Sequence, residues 1–130
     1  AVLMRKTSLD RNLQGLEYRR VEGDISDYES LRRAVKDVDT VFHLAGVVSA
    51  RDRTEYFRFN AEGTAHLARA AAEAKVERFI YVSSLAAGGP AGATPRAESD
   101  ADQPVSIYGE SKKAGEDELL RYRDSFLPLI

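Results

Sequence analysis

The sequence predicts an α/β protein in which parallel strands alternate with helices. Four short apolar segments have the length and residue types of strands, and they span residues 1–5, 16–21, 38–45 and 78–83. Segments with a helical spacing of apolar residues follow, over residues 26–36, 54–74 and from 106 onward. This alternation favours a parallel sheet with right-handed crossovers.

The composition is that of one globular domain, and it points to neither a nucleic-acid nor a metal partner. The chain has 130 residues, 43% hydrophobic and 31% charged, and its net charge of −2 provides no basic surface for a polyanion. It has no cysteine, and His43 and His66 are isolated, so we expect neither a disulfide nor a metal cluster. No apolar run is long enough for a signal peptide or a membrane span, so we expect a cytoplasmic protein.

The first half of the chain contains two predicted strands and one helix. The strand Ala1–Arg5 runs into a polar loop, and the strand Leu16–Val21 is closed by Gly23-Asp24. The segment Ser26–Glu29 has the spacing of a capping box, in which the serine caps a helix that extends to about Lys36.

The next elements repeat the pattern of strand, helix and strand. The strand Val38–Ala45 stops at Gly46, and a long helix follows from about Thr54 to Ala74. The strand Arg78–Ser83 comes directly after this helix. Because helical crossovers connect parallel strands, the two strands are expected to lie in one parallel sheet.

The last third of the chain begins with a loop. The segment Leu85–Val105 is rich in Ala, Gly and Pro, and loops of this length in compact domains are usually functional or disordered. Pro104 and Ser106 have the residue types of a helix first turn and cap, so we expect them to open the last helix. The segment Leu127–Ile130 is typical of the start of a fifth strand.

A tyrosine and a lysine lie four residues apart at the start of this last helix. Tyr108 and Lys112 therefore share one face of the helix, and that face continues through apolar positions that should be buried. An ammonium about 4 Å from a phenolate is worth roughly 4 kcal/mol at a dielectric near 20, which would bring the tyrosine pKa about three units towards neutrality. Tyr108 would then exchange protons at neutral pH. The alternative is that Lys112 merely covers the helix with its stem and reaches solvent.

Six short motifs occur in a fixed order along the chain. They are Gly23-Asp24, His43–Gly46, Asn60–Thr64, Tyr81–Ser84, Glu98 with Asp100, and Tyr108–Lys112. In this order and spacing the sequence resembles the extended short-chain dehydrogenase/reductase family, the NAD(P)-dependent epimerase/dehydratase group that includes dihydroflavonol reductase-like and hydroxysteroid dehydrogenase-like enzymes. The resemblance implies a Rossmann-like doubly wound parallel sheet.

The sequence departs from this family at both ends. The family begins with a strand and a Gly-rich phosphate turn, which would lie between the strands at Ala1–Arg5 and Val38–Ala45 in the order 3-2-1-4-5-6. Without that strand the sheet should be split in two. The C-terminal substrate domain is also lacking, so residues 1–130 are interpreted as a partial NAD(P)-binding Rossmann domain from the middle of a larger protein, inactive alone.

The resemblance implies three catalytic residues. Tyr108 would be the general acid/base, and Lys112 would lower its pKa and hydrogen-bond the nicotinamide ribose. Ser84 would hydrogen-bond the substrate oxygen on which charge develops, whereas Ser83 would support the backbone. The alternative for Ser84 is an ordinary serine at the end of a strand. The alternative for the whole chain is a non-catalytic dinucleotide-binding regulatory module.

The resemblance also implies a set of cofactor contacts. Asp24 would accept a hydrogen bond from the adenine amino group with Ile25 against the ring, and the alternative is that Asp24 is a turn residue after Gly23. Ala45 and Gly46 would let the backbone approach the cofactor ribose and pyrophosphate. Asn60 would orient main chain or water near the nicotinamide, or make a structural hydrogen bond. His43 is expected to be structural.

Arg5 bears on the choice between NAD and NADP. NAD-preferring sites place an acid near the end of the second strand, whereas a basic residue suits the 2′-phosphate of NADP. The strand that ends at Arg5 has no acid before Asp10, so NADP is favoured. The alternative is that Arg5 is solvated near the adenine of an NAD enzyme.

The resemblance implies a small-molecule substrate that gives or receives a hydride at a secondary alcohol or carbonyl carbon. Nucleotide-sugars are the first expectation, and a ketone reduced in the manner of dihydroflavonol reductase is the alternative. A homodimer formed through the long helix and the Tyr108 helix is also implied.

Overall fold

The strands form two separate two-stranded sheets, both parallel. The computed structural model describes residues 1–127, and its strands are β1 (Val2–Met4), β2 (Arg20–Glu22), β3 (Thr40–His43) and β4 (Arg78–Tyr81). The strand β1 pairs with β2, and β3 pairs with β4. The parallel sheet and its division into two parts are confirmed. The fifth strand is predicted to start at Leu127–Ile130. Residues 128–130 of that segment lie outside the described residues.

Each strand is shorter than the sequence predicts. The second strand begins at Arg20 because its ladder starts opposite Val2, and Leu16, predicted to be part of it, is 63% exposed. The third strand ends at His43, where its partner β4 also ends at Tyr81. A sequence pattern counts every apolar residue as part of a strand, whereas the observed strand includes only the residues that pair with a neighbouring strand.

The first helix, α1 (Tyr28–Ala34), is capped by Asp27, so the prediction of Ser26 as the cap is wrong. The Asp27 side chain accepts a hydrogen bond from the Ser30 backbone N–H. The Ser26 hydroxyl instead donates to Asp24 Oδ1 at 2.7 Å. Serine and aspartate both cap helices, and here a contact with the preceding turn decides between them.

The predicted long helix is continuous but changes type in the middle. It consists of α2 (Arg53–Phe57), a π-helical segment (Arg58–Glu62) and α3 (Gly63–Glu73), and Asp52 caps its start. A π-helical turn inserts an extra residue and often marks a functional position. Asn60 lies within this turn.

A one-turn helix, α4 (Leu85–Gly88), opens the segment that the sequence predicts to be a loop. Gly89 ends it at φ +92, where a Cβ would lie 2.0 Å from the Gln103 carbonyl oxygen. The last helix, α5 (Ile107–Leu120), is capped by Ser106 as predicted, whereas Pro104 lies before the helix and not in its first turn.

The core lies between the helices and one face of the β3–β4 sheet. Most of its buried members come from α1, β3, α3 and β4, and they include Leu31, Val41, Leu67 and Phe79. Phe42 alternates with these positions on β3 and is 66% exposed. The covered face therefore carries α3 and α5, and it is the face towards which Lys112 points.

Candidate functional site

Five of the predicted cofactor residues line one cavity. Its volume is about 440 Å³, and it opens between the two sheets. The five residues follow the carboxyl ends of β1, β2 and β3, and they are Arg5, Asp24, Ile25, Ala45 and Gly46. Ligands of open parallel α/β sheets bind at this edge, where the strand order reverses.

Asp24 forms a tight turn at the β2 side of the cavity. Its Oδ1 accepts hydrogen bonds from the Ser26 backbone N–H at 2.9 Å and from the Ser26 hydroxyl at 2.7 Å. The backbone hydrogen bond from Ser26 is the main cause that lowers the pKa of Asp24 below its usual value, so the carboxylate is charged at neutral pH. Asp24 therefore acts as a turn residue in this structure, and its contact with adenine stays a prediction.

Ile25 and Gly46 are each in close contact with the long helix. A Cβ at Gly63 would lie 2.7 Å from Ile25 Cγ1, so the glycine in the predicted Asn60–Thr64 motif makes room for Ile25. A Cβ at Gly46 would lie 2.9 Å from Asn60 Oδ1. The cavity wall at Gly46 thus requires a small residue, as the sequence predicts.

Asn60 is buried and orients main chain beside Gly46. Its Oδ1 accepts from the Val47 N–H at 2.7 Å, and its Nδ2 donates to the Val47 carbonyl at 2.9 Å and to the Ser111 hydroxyl at 2.9 Å. The structure thus shows Asn60 in contact with the main chain of Val47, whereas its proposed effect near the nicotinamide stays a prediction. Ser111 in turn donates to the Tyr108 carbonyl at 2.7 Å, so it links α5 to the cavity wall.

Ser84 and the Tyr108 helix are brought together by the packing of α4 against α5. A Cβ at Gly109 would lie 2.2 Å from the Ala86 carbonyl oxygen, so the two helices approach at the glycine that follows Tyr108. The Ser84 hydroxyl caps α4 by accepting from the Ala86 N–H at 3.2 Å. A hydroxyl accepts and donates at the same time, so this cap leaves its O–H as a donor.

Lys112 lies on the buried face of α5, as predicted. It is 5% exposed, which excludes the alternative that its side chain reaches solvent. Its Nζ donates to the Val82 carbonyl at 2.9 Å and lies 4.1 Å from the centroid of the Tyr81 ring. Burial lowers the pKa of Lys112, while the nearby carboxylate of Glu116 opposes this change.

The Tyr108 ring faces another tyrosine. Its centroid lies 6.4 Å from that of Tyr56, whose hydroxyl donates to the Val48 carbonyl at 3.3 Å. Sequence analysis missed Tyr56, Tyr81 and Ser111. Tyr81 and Ser111 carry a sequence signal, since they stand inside the Tyr81–Ser84 and Tyr108–Lys112 motifs, whereas Tyr56 belongs to none of the six motifs.

His43 is a core residue, and Ser83 makes no backbone contact of the kind expected. His43 is 1% exposed and hydrogen-bonds Thr64 Oγ1 at 2.8 Å. Burial is the main cause that lowers the pKa of His43 to about 4, with a smaller effect of the Lys112 charge, so its ring is neutral at pH 7. The Ser83 hydroxyl is buried without a hydrogen-bond partner within residues 1–127, so the expected support of the backbone by this hydroxyl is not seen.

The described residues provide neither a membrane-spanning helix nor a metal cluster. Within residues 1–127 no helix is both long and apolar enough to cross a bilayer. No group of three or more His, Cys, Asp or Glu side chains in that part of the chain could hold a metal ion.

The split parallel sheet and the cavity at the carboxyl ends of its strands define an α/β protein of the Rossmann type. The profile of the NAD dependent epimerase/dehydratase family matches residues 1–130. The chain belongs to this family, which confirms the resemblance to extended short-chain dehydrogenases/reductases.

The names of similar proteins and structures refer to chemically different compounds. Ceramide reductase of Caulobacter vibrioides is 36% identical over 116 residues, which cover 89% of this chain and 32% of that protein. A Synechocystis protein named "Putative dihydroflavonol 4-reductase" is 35% identical, over 91% of this chain and 36% of its own length. The solved structure of MoeE5 with UDP-glucose and NAD is 33% identical with a TM-score of 0.76, over 87% of this chain and 38% of that one. The chain thus spans about a third of the length of the curated relatives it matches.

Proposed function

We propose that this chain supplies the catalytic and most of the dinucleotide-binding residues of an enzyme that moves a hydride between a nicotinamide and a secondary alcohol or ketone. The observation that carries the proposal is the buried ammonium of Lys112 on α5, whose first turn carries Tyr108 and packs against the turn capped by Ser84. Burying a charge is costly, so a lysine at such a position favours a catalytic role.

The three side chains have complementary tasks in this proposal. Ser84 donates a hydrogen bond to the substrate oxygen, and Tyr108 passes a proton to that oxygen or removes one from it. Lys112 donates a hydrogen bond from its ammonium to the ribose beside the nicotinamide. The bound dinucleotide supplies or accepts the hydride.

The cavity residues fit a dinucleotide. The volume of about 440 Å³ and the close approach permitted by Gly46 support binding of the adenosine half, with Asp24 and Ile25 at the adenine. NADP is the proposed variant, because the exposed Arg5 lines the cavity at the end of β1. Arg20 supports the same turn by donating to the Arg5 carbonyl at 3.0 Å.

Two substrate classes remain in competition. The bound UDP-glucose of MoeE5 favours the nucleotide-sugar proposed first. The name of the Caulobacter relative favours the alternative, a ketone on an apolar molecule. Leu85, directly after Ser84, is 95% exposed and gives the alternative an apolar contact next to the donor hydroxyl.

The wider proposals concern the assembly and location of the whole protein. A groove of about 330 Å³ between the long helix and α5 is lined by Phe57, Ala61, Ala65 and Ala114, among others, which supports a homodimer through these helices. A cytoplasmic location and the inactivity of this chain alone stay predictions.

Titration of the whole protein with NADPH and NADH tests the proposed function. We expect both to bind, NADPH more tightly, and we expect Arg5→Asp to weaken NADPH binding about tenfold and NADH binding less than about twofold, since one phosphate contact is worth about 1.4 kcal/mol. Arg11→Asp, an equal charge change in the 3₁₀ turn Arg11–Leu13, is the control and should change neither. Failure of both nucleotides to bind would contradict the function, whereas equal effects of the two substitutions would contradict only the NADP preference.

A further inference from the structure

We propose that Tyr81 is a positioning residue that holds the Lys112 ammonium against the face of its aromatic ring. The Lys112 Nζ lies 4.1 Å from the ring centroid, well inside the distance of about 6 Å at which a ring face attracts a cation. The inference rests on the proposed role of Lys112 in holding the nicotinamide ribose.

One strand end supplies two contacts to the ammonium. The Tyr81 ring lies on one side of it, and the carbonyl of the next residue, Val82, accepts its hydrogen bond at 2.9 Å. The Tyr81 ring is itself fixed, because β4 is paired in register with β3 and the His43 ring packs on it with centroids 5.1 Å apart. The position of the ammonium is therefore set by the end of β4 and not by α5 alone.

Few other charges act on this ammonium. Glu116, one turn further along α5, attracts it, and the pKa of about 4 keeps the facing His43 ring neutral at pH 7. Burial removes most of the water that would otherwise solvate the charge. The ring face and the Val82 carbonyl are thus the groups that replace this water.

The ring, and not the hydroxyl of Tyr81, accounts for the contact. The Tyr81 Oη is buried without a hydrogen-bond partner among residues 1–127, and burial raises the pKa of Tyr81 to about 12. Gly115 leaves space for this hydroxyl, since a Cβ there would lie 2.6 Å from it. Phenylalanine should therefore replace Tyr81 in its positioning role.

The first test compares three substitutions in the whole protein by NADH affinity and thermal midpoint. We expect Tyr81→Leu to weaken NADH binding about fivefold, within the range of a desolvated cation–π contact, and Tyr81→Phe to keep it within about twofold of the unmodified protein. Phe79→Leu removes a ring from the same strand and the same core, so it should lower the midpoint without weakening NADH binding. Equal NADH affinities in Tyr81→Leu and Phe79→Leu would overturn the inference.

A second series keeps the shape of the ring and so avoids a folding defect. Phenylalanine with one, two and three ring fluorines at position 81 withdraws charge from the ring face stepwise. NADH affinity should fall with each fluorine while the thermal midpoint stays constant. Without cofactor, the Lys112 ε-methylene protons should show an upfield ring-current shift that Tyr81→Leu abolishes. A flat NADH series or an absent shift would contradict the inference.

Two lysine substitutions separate this inference from the function on which it rests. Lys112→Met should weaken NADH binding more than Tyr81→Leu does, whereas Lys113→Met removes the adjacent, partly exposed lysine, which pairs with Asp102 and Asp117, and serves as the control. If Lys112→Met binds NADH normally, the proposed role of Lys112 is wrong. If it binds weakly while the fluorine series is flat, only the role of Tyr81 is wrong.

Discussion

The β3–β4 side and the β1–β2 side of the protein hold their cations in different ways. Lys112, on the β3–β4 side, is 5% exposed and contacts a carbonyl and a ring. Arg5, on the β1–β2 side, extends its exposed side chain from the end of a three-residue strand. The first arrangement fixes one charge in one place, and the second leaves the charge free to adapt to a ligand.

This difference matches the tasks proposed for the two sides. A group that holds the nicotinamide ribose beside the reacting atoms must be placed within about 0.5 Å, and packing against rigid elements provides that accuracy. Discrimination between a hydroxyl and a phosphate on a ribose needs only a charge of the right sign within reach. We therefore expect substitutions on the β3–β4 side to affect stability and catalysis, and those on the β1–β2 side to affect cofactor choice.

Gly115→Ala should break the packing of the β3–β4 side. A Cβ there would lie 2.4 Å from the Asn60 carbonyl oxygen and 2.6 Å from Tyr81 Oη, so α5 must move away from the long helix. We expect a loss of about 2–3 kcal/mol in unfolding free energy, measured by urea denaturation of the whole protein. Gly92→Ala is the control, since its Cβ would meet nothing within 4 Å and should change stability by less than about 0.5 kcal/mol. Equal stability of the two variants would show that this side is loosely packed.

Lowered pH should weaken the same side through His43. Its folded-state pKa of about 4 lies below its ordinary value of 6.5, so the unfolded chain takes up a proton first as the pH falls. The stabilisation is complete above pH 6.5 and is lost as the pH falls towards 4, by about 2 kcal/mol between pH 7 and 5.

Urea denaturation at pH 7, 6 and 5 measures this effect of His43. His43→Gln should reduce the loss between pH 7 and 5, and His66→Gln, at the other histidine, should leave it unchanged. An unmodified protein that is as stable at pH 5 as at pH 7 would show that His43 is not held neutral in the core.

Features that depend on periodicity or strand order could be predicted from the sequence. The burial of Lys112 follows from its helical spacing with Gly115 and Leu119, and the split sheet follows from the motif order and the absent first strand. The turn at Asp24 and the close approach at Gly46 were also accessible, because small and turn-forming residues mark such places.

Features that depend on contacts between distant segments could not be predicted. The cap of α1 falls on Asp27, while the hydrogen bond from Ser26 to Asp24 orients the Ser26 hydroxyl towards the preceding turn. The contact of Tyr81 with Lys112 joins a strand to a helix, and no local pattern distinguishes a ring that faces a cation from one that fills the core. The helix α4 is a single turn in a segment rich in Ala and Gly, too short for a periodic signal.

The most direct test of the account is turnover of the Tyr108→Phe variant of the whole protein, followed by nicotinamide absorbance with a panel of ketones, alcohols and nucleotide-sugars. Tyr122→Phe, a change of the same kind just beyond the end of α5, is the matched control. We expect Tyr108→Phe to lower kcat at least about 100-fold, as for loss of a general acid/base, with NADH affinity within about threefold of the unmodified protein. Turnover that survives in Tyr108→Phe, or a protein that binds NADH but acts on none of the panel before substitution, would contradict the catalytic role and favour a dinucleotide-binding regulatory module.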